Sequence, residues 1–134
     1  MAFKDILLTL TSYPDPTPVS VAEEAVSIAA AFGAHLTAVA CEVHVQVPGH
    51  FVAGSIANVS GSIAGEAEKS RKSAKDMLAA FDAAAEKAGI MHETHLEKCP
   101  TYAVPDLLVD YARLRDLTIV PVPESYDQWY AETV

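Results

Sequence analysis

Residues 6–41, ILLTLTSYPDPTPVSVAEEAVSIAAAFGAHLTAVAC, hold two short apolar runs with one amphipathic segment between them. The first run, Ile6-Leu7-Leu8-Thr9-Leu10-Thr11, lacks strict alternation, as a strand buried on both faces does. Ser12–Pro18 carries three prolines, which fix φ and remove donors, so neither helix nor ladder is expected there. Ser20 is placed to cap a helix, with Glu23 as its capping-box partner and both Glu23 and Glu24 in the first turn. Ala22, Ala25, Val26, Ala29 and Phe32 then form one apolar stripe, and Gly33 is the left-handed stop. The second run, Leu36-Thr37-Ala38-Val39-Ala40-Cys41, comes directly after it. Strand, helix and strand with tight turns make a right-handed βαβ unit, so the two strands are parallel.

Further along, Glu42 to about Gly61 loses periodicity and gathers Pro48, Gly49, Gly54 and Gly61. It reads as a long excursion, with a short helical piece near Phe51 to Ile56, leaving from a strand's carboxyl end. Open α/β sheets bind their ligands at such ends. From about Ile63 to Lys87 the apolar residues Ile63, Ala67, Ala74, Met77, Leu78, Phe81 and Ala85 recur by threes and fours, continuing to Ala88. This predicts a long helix stopped by Gly89, with Glu68 and Lys72 paired on its outer face. Ile90–Leu96 is polar enough for an edge strand. Pro100–Pro105 opens a helix with Leu107, Leu108, Tyr111 and Leu114 inward. Leu117–Val122 is a fourth strand, and the tail from Tyr126 starts another helix. The order β-α-β-α-β-α-β-α predicts a doubly wound, open, Rossmann-like parallel sheet in the order 3-2-1-4, since strands 1 and 4 are the most apolar.

The whole chain of 134 residues is expected to form a single domain. A net charge of −9 and a pI near 4.8 disfavour nucleic acid and anionic membranes as partners. No run of apolar residues is long enough to cross a bilayer, and no basic segment with a cleavage site opens the chain. Two cysteines do not make a disulfide scaffold. The cytoplasm is therefore the expected compartment.

Several passages resemble the universal stress protein family. Lys4-Asp5-Ile6-Leu7 is similar to its opening strand, and Val21–Leu36 to its helix-to-strand passage through Ala25, Ala29, Gly33 and Leu36. Pro100–Tyr111 is similar to its third helix opening, Asp116–Val120 to its "ADLIVMG" strand, and Ala131–Val134 to its "VAEKV". The resemblance implies an adenine nucleotide alpha hydrolase-like fold and a cleft at the strand ends formed here by Thr11, Ser12, Cys41, Val43, Pro121 and Val122. Two departures stand out. Thr11 occupies the position of an aspartate usual in ATP-binding members. Val122–Trp129 replaces their glycine-rich phosphate loop without one glycine, while Pro123 lacks a donor and Glu124 and Asp127 repel phosphate. Members also continue into a fifth strand, so the resemblance implies either a natural chain running past Val134, as one half of a tandem-domain protein, or an edge that another chain covers.

The expected role is a regulatory, stress-response domain acting through protein association, with a degenerate nucleotide site, no cofactor and no catalysis. The rivals are an ATP-binding switch or weak ATPase, and a thiol or metal sensor built on Cys41, Cys99 and the histidine-bearing loop. Glu42, His44 and His50 match no tight ligand spacing. His92 and His95, three apart on a strand, point to opposite faces. Neither Ser12 nor Ser20 has a nearby base that would make it a nucleophile. The open edge predicts a homodimer through Thr118–Val122 and the Trp129–Val134 tail, with Trp129 and Tyr130 as aromatic anchors or as cover for the sheet.

Overall fold

The computed structural model describes residues 3–12, 15–44 and 53–122, the side chains of 53–64 and 66 excepted. Four strands, β1 (Asp5–Leu10), β2 (His35–His44), β3 (His92–Pro100) and β4 (Leu117–Ile119), form one parallel sheet in the order β3-β2-β1-β4. Three α-helices connect them: α1 (Val19–Phe32), α2 (Ala53–Ala88) and α3 (Val104–Ala112), the last preceded by a 3₁₀ turn at Thr101–Ala103. The predicted strand order holds, with the polar β3 at an edge.

Handedness decides the layers. The path β1→β2→β3 moves steadily one way across the sheet, so right-handed crossovers put α1 and α2 on one face. The step from β3 back to β4 reverses direction and puts α3 on the other. The two cores match. Ile6, Leu8, Leu10, Leu36, Ala38 and Ala40 pack against Ala22, Ala25, Val26 and Ala29 of α1 and against Ala74, Met77, Leu78, Phe81 and Ala85 of α2. On the opposite face Leu7, Val39, Cys41, Val43 and Cys99 pack against Val104 and Leu108. Burying both faces of β1 and β2 requires the unalternated apolar runs seen in the sequence. Phe81 is fully buried, worth about 3 kcal/mol at the upper end for a side chain of this size.

The local boundaries differ in several places, and β3 itself runs His92–Pro100 where Ile90–Leu96 was expected. Helix α1 begins at Val19 with Pro18 as N-cap, φ −59° and ψ 145°, and no side chain caps it. Ser20 is thus inside the helix, Glu23 and Glu24 fall beyond its first turn, and the expected capping box does not form. Proline's fixed φ suits an extended cap residue, so the helix starts directly behind the last ring. Gly33 and Gly89 do end their helices at φ 63° and 69°.

Helix α2 starts at Ala53, ten residues before the expected Ile63. Gly54 and Gly61 each cost only about 1 kcal/mol against alanine, and a nucleated helix propagates through such positions where no proline intervenes. The expected excursion is therefore trimmed at both ends, because β2 also runs on to His44. Phe51 and Val52 lie outside the described residues.

Helix α3 ends at Ala112, so Leu114 leaves the apolar stripe and stands 80% exposed instead of facing inward. Strand β4 pairs only through Ile6↔Leu117, Leu7↔Thr118 and Leu8↔Ile119, three residues short of the expected Val122. Pro121 has no N–H for a longer ladder. Among the described residues no helix is long and apolar enough to cross a membrane.

Candidate functional site

The sheet reverses its winding between β1 and β4, and the crevice outside their carboxyl ends is where open α/β sheets hold ligands. A cleft of about 590 Å³ lies there, between Asp15–Pro18, Val21 and Glu24 on one side and Ile119–Val122 on the other. Its walls are three proline rings and aliphatic side chains, with Asp15 and Glu24 the charged groups. Among the described residues no lysine, arginine or glycine lines it. The loop that forms one wall is tied at its base. Thr11 donates its amide to Thr17 Oγ1 at 2.8 Å, and Thr17 returns its own amide to the Thr11 carbonyl at 2.8 Å. Both threonines are buried.

Across β1 from this cleft, β2 outruns β1. The β1–β2 ladder ends at Leu10↔Ala40, whereas β2 continues to His44 alongside β3. The groups of Cys41 and Val43 that face the β1 side therefore have no strand partner. Here hydroxyls occupy them. Val43 donates its amide to Ser70 Oγ at 3.0 Å, and Ser12 Oγ donates to the Cys41 carbonyl. The two serine oxygens are 2.7 Å apart. Since Ser12 spends its proton on Cys41, Ser70 is the donor between them. Ser12 and Ser70 are 6% and 2% exposed, so the relay from Val43 through both serines to Cys41 is internal to the protein.

Of the residues expected in the cleft, Pro121 and Val122 line it and Thr11 fixes its loop. Ser12, Cys41 and Val43, expected there, do not line it and meet instead in the buried relay. Ser70 carries no such expectation from sequence; a serine in a helix seldom announces a long-range role, and its spacing from Ser12 gives no signal. Pro123 to Val134, with Trp129 and Tyr130, and His50 lie outside the described residues.

The Cys41 thiol is buried on the α3 face, diagonal to Cys99 across the β2–β3 ladder. Burial pushes its pKa far above the usual thiol range, and the neighbouring Cys99 adds to the rise. Burial also raises Cys99. Thiolate, the reactive form, is thus suppressed at both positions. Among the described residues no group of three or more His, Cys, Asp or Glu side chains gathers as metal ligands would. His92 lies against Asp82 and Phe81 of α2, while His95 packs on Tyr111 of α3, so the two point to opposite faces.

No family model matches this chain, and no curated protein matches it in sequence. Solved structures do match it. A universal stress protein family member from Burkholderia pseudomallei superposes with a TM-score of 0.62 at 17% identity, over 97% of this chain and 86% of that one. The chain has the universal stress protein fold. Universal stress protein UspA from Lactobacillus plantarum gives 0.59 at 17% identity, covering 98% of this chain and 90% of that one. A universal stress protein from Archaeoglobus fulgidus gives 0.57 at 18%, covering 99% and 87%. On this universal stress protein fold, the crevice between β1 and β4 keeps its usual place in the topology while its lining is proline, aliphatic and acidic.

Proposed function

We propose that this chain is a universal stress protein whose nucleotide site is degenerate, and that it serves as a non-catalytic regulatory domain in the cytoplasm, working through protein association. The observation that carries this reading is the serine relay, which occupies the backbone groups at the end of β2 with the protein's own hydroxyls. The cleft across β1 from it supports the same reading. A polyphosphate needs bare amides or cations, and this lining offers Asp15 and Glu24. The sequence continues in kind after Val122, with Pro123, Glu124 and Asp127 and no glycine up to Val134.

Association is assigned to the β4 side. Thr118–Val122 presents an edge that a second copy covers by a two-fold contact, together with the Trp129–Val134 tail. The thiol-sensor alternative is disfavoured by the burial and raised pKa of Cys41 and Cys99. The ATP-switch alternative draws only on the shared fold, which does not fix function. Protein purified under native conditions and extracted with acid should release no adenine nucleotide. Stoichiometric nucleotide in the extract would overturn the reading in favour of the switch.

A further inference from the structure

At the opposite end of the sheet, beyond the carboxyl end of α3, a second depression of about 340 Å³ is lined by Glu93, His95, Asp110, Tyr111, Leu114 and Arg115. Its walls carry opposite charges. On the strand side, Glu93 is held by His95, whose hydrogen bond is the main cause of a carboxyl pKa below its usual range, and by His35 at 3.8 Å. This wall is a fixed carboxylate. On the other side Arg115 is set in a pinned turn: its amide bonds the Ala112 carbonyl at 3.0 Å, and Asp116 next to it accepts the amides of Lys4 and Asp5 at 2.9 and 3.0 Å.

Arg115 Nε is shielded from solvent and has no partner, and among the described residues the guanidinium makes no ion pair. Its charge acts on Glu93 across the depression without closing on it. Arg115 and the half-exposed Glu93 carboxylate thus bring opposite charges to one depression without an ion pair between them. The space between is walled by the Tyr111 ring and by Leu114, the side chain whose exposure breaks the helix pattern.

We infer that this depression binds a small zwitterion with an apolar side chain, a free α-amino acid being the simplest, with its carboxylate on Arg115, its ammonium on Glu93 and Asp110, and its side chain against Tyr111 and Leu114. The site is separate from the β1–β4 cleft and does not depend on the function proposed above. Both charges of the ligand are required. A carboxylate alone meets Glu93 and Asp110, and an ammonium alone meets Arg115.

The experiment is a ¹H–¹⁵N NMR titration of the full chain with L-leucine, L-leucinamide and N-acetyl-L-leucine at millimolar concentrations. Leucine is expected to shift amides of 93–97 and 110–116 saturably. The amide and the N-acetyl compound should each bind at least about tenfold more weakly, as should leucine to Arg115→Gln or Glu93→Gln, because each loses a charge-assisted pair. The spectrum outside those segments reports whether each variant is folded, and either variant alone suffices. No saturable shift with leucine, equal binding by one of the singly charged compounds, or shifts confined to other segments would overturn the inference and leave a hydrated surface notch.

Discussion

Replacing Ser70 by alanine removes one oxygen from a site that is 2% exposed and breaks the relay at its centre. The Val43 amide loses its acceptor and is left buried, at a cost of about 1–3 kcal/mol. Ser12 keeps its bond to the Cys41 carbonyl and loses only the proton it accepts from Ser70, a smaller loss. Ser12→Ala should therefore cost less, about 0.5–1.5 kcal/mol: it strips one bond from the Cys41 carbonyl and the acceptor of the Ser70 proton, but a hydroxyl can rotate to another acceptor, and under-satisfied carbonyls are better tolerated than orphaned amides. The double variant should cost less than the sum, since the two serines share a hydrogen bond. In urea denaturation followed by far-UV circular dichroism, the order Ser70→Ala above Ser12→Ala, with sub-additive coupling, is the expected result. For a chain of this size the first substitution corresponds to a fall in Tm of about 3–5 °C per kcal/mol. A Ser70→Ala loss below about 0.5 kcal/mol would mean that water or a shifted backbone meets the Val43 amide, and the relay would not be a structural plug.

Asp116 carries a pKa below its usual value because it accepts the Lys4 and Asp5 amides, so its stabilisation is complete above the ordinary carboxyl pKa and is lost as pH falls through the folded value. Asp116→Asn should lower the urea midpoint at pH 7 and flatten the acid limb of the stability profile; identical profiles would show that the bonds to Lys4 and Asp5 add no stability. Tyr111, raised to about 12 by burial and by its bond to Glu97, should appear as a late step in an alkaline absorbance titration and vanish in Tyr111→Phe. Its contribution is present below the ordinary tyrosine pKa and lost as pH rises to about 12, so the variant's stability should converge on the parent's at high pH. Cys41 and Cys99 should react with a disulfide reagent roughly a hundredfold more slowly in the native protein than in urea, and rapid native labelling would reopen the sensor reading. Light scattering at micromolar protein should give a dimer; a strict monomer would remove the β4-edge interface from the proposal.

The fold was legible because three of the four strands announce themselves by apolar runs, and because Gly33 and Gly89 end their helices where a left-handed residue is required. The order 3-2-1-4 came from comparing how polar those runs are. Boundaries were less legible for physical reasons. Ser20 and Glu23 have the spacing of a capping box, but spacing does not reveal that the preceding proline already supplies an extended cap. Gly54 and Gly61 read as loop residues in a local window, whereas a helix already nucleated absorbs both. Leu114 completes a periodic stripe on paper, yet α3 ends two residues before it.

The candidate cleft was partly legible: Pro121 and Val122 line it, and the missing glycines were plain. What sequence withheld was the relay. Ser12 and Ser70 are 58 positions apart, and only the sheet register, with β2 running past the end of β1, creates the unpaired groups they serve. Arg115 and Glu93 are likewise unremarkable in sequence and become opposed only when α3 crosses back over β3.

Isothermal titration of the purified chain with Mg-ATP asks whether the crevice is closed to nucleotide. With the end of β2 occupied by Ser12 and Ser70 and the cleft lined by Asp15, Glu24 and prolines, no saturable heat is expected up to millimolar nucleotide. A one-to-one isotherm with a low-micromolar Kd would contradict it.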